Sequence, residues 1–294
     1  ELAVFQAKRL GGDRIEPFRP AFRTVGTDKL QIESDLRRAV ERNELNVVYQ
    51  PIVRLSDMKI AGFEALMRWE HPRRGPIPPS EFIPLAESCD LIDQIGQFAM
   101  ASAAEKLAAW QKALNGLPIF MSVNLSSRQI IRRDLINDLR SILNKSNFIP
   151  GTFKLELTES AVMENPEQAV FILNKVKSLG VGLSLDDFGT GHSSLSYLSR
   201  FPFDIIKVDK SFVKDANPKR DVLLRSIISM AHDMGLQVVT EGVANDKDVK
   251  QLRELNCEYV QSFMFGEPVN AETALRLVKE QHLAGVEGGK RENA

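Results

Sequence analysis

Between Leu45 and Phe263 the chain alternates short runs rich in β-branched and aromatic residues with longer segments whose apolar positions recur every three or four residues. The first kind predicts strands over 45–52, 60–68, 119–124, 153–157, 182–186, 204–208, 237–241 and 259–263. The second predicts helices at about 80–114, 133–145, 166–179, 193–198, 219–234, 246–255 and 271–281. Such alternation folds as parallel strands joined by crossover helices, and eight of them suit an α/β barrel of the (βα)8 type. One connection breaks the rule. Only residues 53–59 join the first two strands, too few for a crossover helix, so these two should form an antiparallel hairpin. The expected architecture is a modified TIM-type barrel with an antiparallel first strand.

Ahead of the barrel, residues 28–43 read as a charged amphipathic helix, with Leu30, Ile32, Leu36 and Val40 approximating one face. It would serve as a linker or as a lid. The chain opens on Glu1 rather than Met, with a helical pattern that lacks an N-cap, and this reads as a cut from a longer chain. From Gly285 the sequence is polar and glycine-rich, the composition of a flexible tail. The expected divisions are therefore a leader over 1–27, a barrel domain over 28–282 and a tail over 283–294.

Composition narrows the function classes. The 294 residues are 43% hydrophobic and 26% charged, which accommodates a barrel of ~250 residues and a small extra piece. With 38 basic against 39 acidic residues there is no long-range attraction toward nucleic-acid polymers or anionic membranes, so neither is an expected partner. No apolar run approaches the ~20 residues of a membrane span and no signal peptide is evident, so a cytoplasmic location is expected. Cys89 and Cys257 lack CxxC spacing and read as buried reduced thiols.

The candidate chemistry lies at the strand ends. Glu64, Asn124, Glu156, Asp186 with Asp187, and Glu241 lie within or at the end of strand-like runs, nearly every one of which carries such a residue, with Lys207 and Gln261 in equivalent places. A barrel gathers such ends at one rim. Side chains offering only oxygen suit Mg²⁺ or Mn²⁺, whereas zinc sites draw on His and Cys. The four histidines, His71, His192, His232 and His282, have no HExxH spacing. Adjacent Asp186 and Asp187 would point to opposite sides of a regular strand, but at a frayed end both can turn to one site and serve two metals. A two-metal site is the usual need of phosphodiester hydrolysis. Lys207, inside an apolar strand, must meet carboxylates: an ion pair with Asp209 would satisfy it, as would a place among the rim acids. Taken singly, an acid such as Glu241 would be an N-cap or a solvated strand terminus. Convergence of several strand ends favours a site.

These residues carry a specific resemblance. Glu64-Ala-Leu66 within Gly-Phe-Glu-Ala-Leu-Met-Arg-Trp, Glu156-Leu-Thr-Glu159, Asp186-Asp-Phe-Gly-Thr-Gly191, Lys207-Val-Asp209 and Glu241-Gly-Val follow in the order found in the EAL-domain family of cyclic di-GMP phosphodiesterases. Tyr49-Gln-Pro-Ile52, His71-Pro72, Phe82-Ile-Pro84 and Asn124-Leu-Ser126 also agree, so the resemblance covers about residues 35–282. It implies hydrolysis of cyclic di-GMP to linear pGpG with Mg²⁺ or Mn²⁺, two ions to a site. By matching motif positions it implies Glu64, Asn124, Glu156, Asp186 and Asp187 as metal ligands. Lys207 would hold the nucleophilic water or the phosphate, and Glu241 would be general base or a ligand of the second metal. Gln50, Leu66, Arg68 and Gln261 would contact the dinucleotide, Arg68 through its forked donors. Glu159 would steady the loop over 187–195 and couple it to a partner subunit, so a homodimer is expected.

Three departures from the family pattern motivate a second reading, a receptor that binds cyclic di-GMP without efficient cleavage. Ala244 stands where an acid is common. Ser262-Phe263 replaces Gly-Tyr after Gln261, and His192 replaces a Tyr. A third reading is a hydrolase of another phosphodiester. Residues 3–18 resemble the closing helix and strand of a GGDEF cyclase domain, although Gly11-Gly12-Asp13 is not the cyclase signature.

Overall fold

The computed structural model describes residues 31–132, 134–189, 195–213 and 218–288. The leader over 1–27, with its likeness to a cyclase remnant, and His192 lie outside these. In chain order the elements are α1 (31–39), β1 (Leu45–Arg54), β2 (Ile60–His71), β3 (Gly75–Ile77), α2 (Pro79–Ser88), α3 (Ile92–Ala113), β4 (Phe120–Asn124), α4 (Ser127–Ile130), α5 (Leu135–Lys145) and β5 (Phe153–Thr158). There follow α6 (Glu159–Met163), α7 (Pro166–Ser178), β6 (Gly182–Phe188), α8 (Leu195–Leu198), β7 (Ile205–Val208), a 3₁₀ turn (Lys210–Phe212), α9 (Pro218–Asp233), β8 (Gln237–Glu241), α10 (Asp246–Glu254), β9 (Tyr259–Gln261) and α11 (Ala271–Gly288). The chain divides into two compact units, one of residues up to Asn46 with Arg68–Ile95, the other of Val47–Met67 with residues from Gly96 onward.

The larger unit holds the barrel. Its strands run β1-β9-β8-β7-β6-β5-β4-β2, and the β1–β2 pairing closes the ring. From β2 round to β9 every neighbouring pair is parallel, while β1 meets β9 antiparallel, as the short β1–β2 connection predicts. Period-2 alternation gives each strand two faces. Outward-facing Phe63, Val123, Leu155, Leu185, Ile206, Val238 and Val260 are buried with Leu107, Leu139, Leu173, Leu224, Leu252 and Val278 of the helices in one large core. Each such side chain contributes roughly 1.5–3 kcal/mol by leaving water. A separate small cluster of Ile52, Phe120, Ile205 and Val239, packed with Tyr259, fills the barrel's interior.

In the smaller unit, Ile32, Leu36 and Ala39 of α1 are buried. The helix ends at residue 39, short of the predicted 43, and Asn43 takes a left-handed φ of 56° that a short polar side chain tolerates. His71 is buried; its Nδ1 accepts from the backbone N–H of Arg73 and Arg74, both at 3.1 Å. Nε2 must then carry the proton and donate to Asp35 Oδ2, 3.2 Å away. A hydrogen bond from Gln31, then His71 and the charge of Arg73, outweigh burial and hold the Asp35 carboxyl below its ordinary pKa.

Several boundaries differ from the sequence reading. The helix expected over 80–114 is two, α2 and α3, because Asp90 adopts φ 60° between them. Strand β3 forms a second hairpin with β2 across a turn at residues 72–74, pairing Trp69 with Ile77 and His71 with Gly75. The short helices α4 and α6 were not anticipated, and α11 continues past 281 through Gly285 to Gly288, where a tail was expected. Both cysteines are free; Cys257 is buried, its thiol pushed up to about 12 by burial, whereas Cys89 is only half-buried. Among the described residues no helix is long and apolar enough to cross a membrane.

Candidate functional site at the C-terminal rim of the barrel

The parallel register stacks the strand ends: Asn124 lies beside Glu156, Thr158 beside Asp186 and Glu241 beside Gln261. Residues of different strands therefore meet without any loop having to fold back. At the centre is Lys207, 1% exposed. Its Nζ lies 2.9 Å from Glu156 Oε2, 3.0 Å from Glu241 Oε1, 3.1 Å from Glu64 Oε2 and 3.5 Å from Asp186 Oδ1. The pairing with Asp209 does not form; that carboxylate instead accepts from the N–H of Ser211 and caps the 3₁₀ turn. Glu64 is also fixed by Asn124 Nδ2 at 2.6 Å and by Gln261 Nε2 at 2.6 Å, and Gln261 Nε2 reaches Gln50 Oε1 at 3.3 Å.

Four carboxylates around one ammonium cannot all be ionised cheaply. Burial pushes Glu156 up to about 8, with Glu64 and Asp186 adding repulsion that Lys207 only partly offsets. Burial also opposes ionisation of Glu64, yet the charge of Lys207 and the bonds from Gln261 and Asn124 hold its pKa below the usual value. Burial raises Glu241 against the pull of Lys207. Desolvation of Lys207 is overcome by Glu156, Glu64, Asp186 and Glu241, which keep it protonated. The cluster is thus an excess of negative oxygen donors, the set a hard divalent cation fits. Among the described residues no three acidic, His or Cys side chains are arranged as a metal cage; the carboxylates face Lys207.

The remaining residues frame this centre. Asp187 follows Asp186 at a break in the β6–β7 register and takes φ 55°, so the strand's alternation fails where both acids are wanted. Asp186 Oδ1 accepts from the Asp187 N–H at 2.9 Å. Burial, then Asp186 and Asp209, raise Asp187. Glu159, buried at the first position of α6, accepts from the Gly189 N–H at 3.3 Å. A Cβ at Gly189 (φ 92°) would lie 2.5 Å from the Phe212 ring, and one at Gly242 (φ 73°) 2.3 Å from Lys210 Cβ; both turns need glycine. Leu66 lies two positions beyond Glu64 on β2 and is half-buried, whereas Arg68 belongs to the smaller unit. Ser262 Oγ and Gln261 Oε1 are buried with no hydrogen-bond partner among the described residues, a feature of the rim that sequence did not announce. Ala244 donates its N–H to Asp248 Oδ2 at 3.0 Å.

The fold and rim define a class, an α/β barrel whose C-terminal strand ends present carboxylates around a buried lysine, where barrels of this type carry their sites. The EAL domain family matches residues 33–268, and the chain belongs to that family. The cyclic di-GMP phosphodiesterase NbdA of Pseudomonas aeruginosa is 37% identical over 270 residues, 91% of this chain and 34% of its own length. The cyclic di-GMP phosphodiesterase PdeR of Escherichia coli is 35% identical over 273 residues, 92% of this chain and 41% of its own. The chain therefore spans about a third to two-fifths of the curated relatives it matches. Among solved structures, the PaMucR phosphodiesterase in complex with c-di-GMP aligns with TM-score 0.79 and 36% identity, over 83% of this chain and 99% of that one. Phosphodiesterases of this family depend in general on divalent metal.

Proposed function

We propose that this chain hydrolyses cyclic di-GMP to linear pGpG with Mg²⁺ or Mn²⁺. The observation that carries the reading is the meeting of Glu64, Glu156, Asp186 and Glu241 within 3.5 Å of Lys207 Nζ. Glu64, Asn124, Glu156, Asp186 and Asp187 would hold a pair of ions. When bound, such ions neutralise charge on the scissile phosphate and acidify the attacking water. Lys207 orients the phosphate or the water through its ammonium. Glu241, whose pKa burial raises, is suited to take a proton from that water, and its alternative role is as a ligand of the second ion. Gln50 and Gln261, already in contact with each other, and Leu66 and Arg68 receive the dinucleotide. Glu159 holds the backbone at Gly189 and so positions the loop that follows Asp187, the element through which a homodimer partner would act. Glu64→Ala removes the carboxylate shared by Asn124, Gln261 and Lys207 and should abolish metal-dependent pGpG formation; undiminished turnover would reject the assignment.

The second reading, a cyclic di-GMP receptor, is favoured by Ala244 and by the unpartnered Ser262 hydroxyl beside Gln261. Binding that survives removal of divalent metal, with no linear product after long incubation, would support it over the phosphodiesterase.

A further inference from the structure

At the opposite, N-terminal mouth of the barrel the sequence places a second basic residue in the barrel's interior. Lys154 stands two positions before Glu156 on β5, so it shares the inward face but sits at the start of the strand. It is 9% exposed. Its side chain crosses β6 at Gly182, where a Cβ would come within 2.7 Å of Lys154 Cγ, and its Nζ lies 5.4 Å from the centre of the Phe120 ring. Among the described residues no carboxylate lies within 4.0 Å of that Nζ. Asp204, the acid of this mouth, is already engaged: Oδ1 accepts from Lys177 Nζ at 2.6 Å and Oδ2 from the Leu183 N–H at 2.8 Å. Lys154, Lys177, Asp204, Gln237, Gly151 and Gly182 line an open cavity of about 410 Å³.

A buried ammonium is costly without a bonded counter-charge: burial lowers the pKa of Lys154, Asp204 attracts it only from beyond contact distance, and a single aromatic face at 5.4 Å compensates weakly. Two ammonium groups facing a cavity against one engaged carboxylate leave a net positive charge there, and the neutral Gln237 carboxamide, whose Nε2 donates to the Tyr259 hydroxyl at 3.4 Å, adds a second N–H donor. We propose that this cavity is a binding site for a small oxyanion, the phosphate or carboxylate group of a metabolite, held by Lys154 with Lys177 and Gln237. The site is separate from the catalytic rim, being built from strand starts rather than strand ends. Its occupancy would lock the lower ends of β5, β6 and β7 without touching the chemistry.

The test is calorimetric titration of the purified chain with inorganic phosphate and, separately, citrate. A chelator is present throughout so that no cation recruits anions to the rim. Saturable one-site binding of either is expected, and which of the two binds identifies the oxyanion. Lys154→Met keeps an unbranched apolar stem across Gly182 and removes the ammonium; it should bind at least about tenfold more weakly, the loss of one charge-assisted hydrogen bond. Hydrogen exchange on the wild-type chain gives an independent reading: the ligand should slow the amides of Gly182 and Leu183 and leave those of Glu241 and Gly242 unchanged. No saturable binding by either probe, equal binding by Lys154→Met, or slowing confined to the rim would overturn the proposal.

Discussion

Replacing Lys207 by Met leaves the rim carboxylates facing one another with nothing between them. At an effective dielectric near 20, two unit charges about 3 Å apart interact by roughly 5 kcal/mol, and Lys207 has three carboxylates at 2.9–3.1 Å and a fourth at 3.5 Å. Desolvation of a fully buried ammonium offsets much of that sum, and Glu156 escapes part of the repulsion by staying protonated up to about 8. What remains is the ordinary cost of breaking a buried pair from one side, about 3–5 kcal/mol. For a domain of this size that is a fall in Tm of roughly 6–20 °C. The assay is urea and thermal unfolding of wild type and Lys207→Met at pH 7.5 in chelator, repeated with Mn²⁺. Mn²⁺ should recover more stability for the variant than for the wild type, because the ion supplies the missing positive charge. A loss below about 1 kcal/mol in chelator would mean that Lys207 does not organise the carboxylates, and the electrostatic account of the rim would be wrong.

Other consequences follow from named contacts. Glu156 is protonated below about 8 and must give up that proton to an ion, so metal affinity should rise with pH by up to about one log unit per pH unit and level off above 8; calorimetry showing constant affinity from pH 6 to 9 would contradict this. Gly242→Ala places a methyl 2.3 Å from Lys210 Cβ at φ 73°, and should cost about 1–3 kcal/mol while displacing Glu241, so turnover should fall further than stability. Asp35→Ala strips Gln31, His71 and Arg73 of their shared acceptor and should destabilise the smaller unit by about 2–4 kcal/mol. Its two units carry one tryptophan each, so Trp69 fluorescence in a Trp110→Phe background reports that unit alone.

Much of the barrel was legible because its signals are local. Each strand shows as a short apolar run, and residues 53–59 are too few to cross over, which is enough to set β1 antiparallel. The rim was legible for the same reason: a parallel sheet turns strand ends into neighbours, so Glu64, Asn124, Glu156, Asp186, Lys207, Glu241 and Gln261 could be gathered from sequence positions alone. What escaped depends on single backbone dihedrals or on competition between partners. Asp90 at φ 60° divides a helix that periodicity joins, and Asp187 at φ 55° sits in a bulge that alternation does not reveal. Lys207 had Asp209 as its nearest acid in sequence, and strand alternation would put the two on one face, yet β7 ends at Val208 and Asp209 turns to cap the 3₁₀ turn, accepting from a backbone N–H beyond the strand's end. Lys154 gave no signal, since an isolated lysine at a strand start looks like a solvated one until the barrel closes around it.

The most direct test of the central claim is incubation of the purified chain with cyclic di-GMP and Mg²⁺ or Mn²⁺, with and without chelator, the products separated by chromatography. The account predicts linear pGpG that disappears with chelator and with Glu64→Ala. Unchanged cyclic di-GMP in the presence of either metal, with the nucleotide still bound, would contradict it and assign the rim to a receptor.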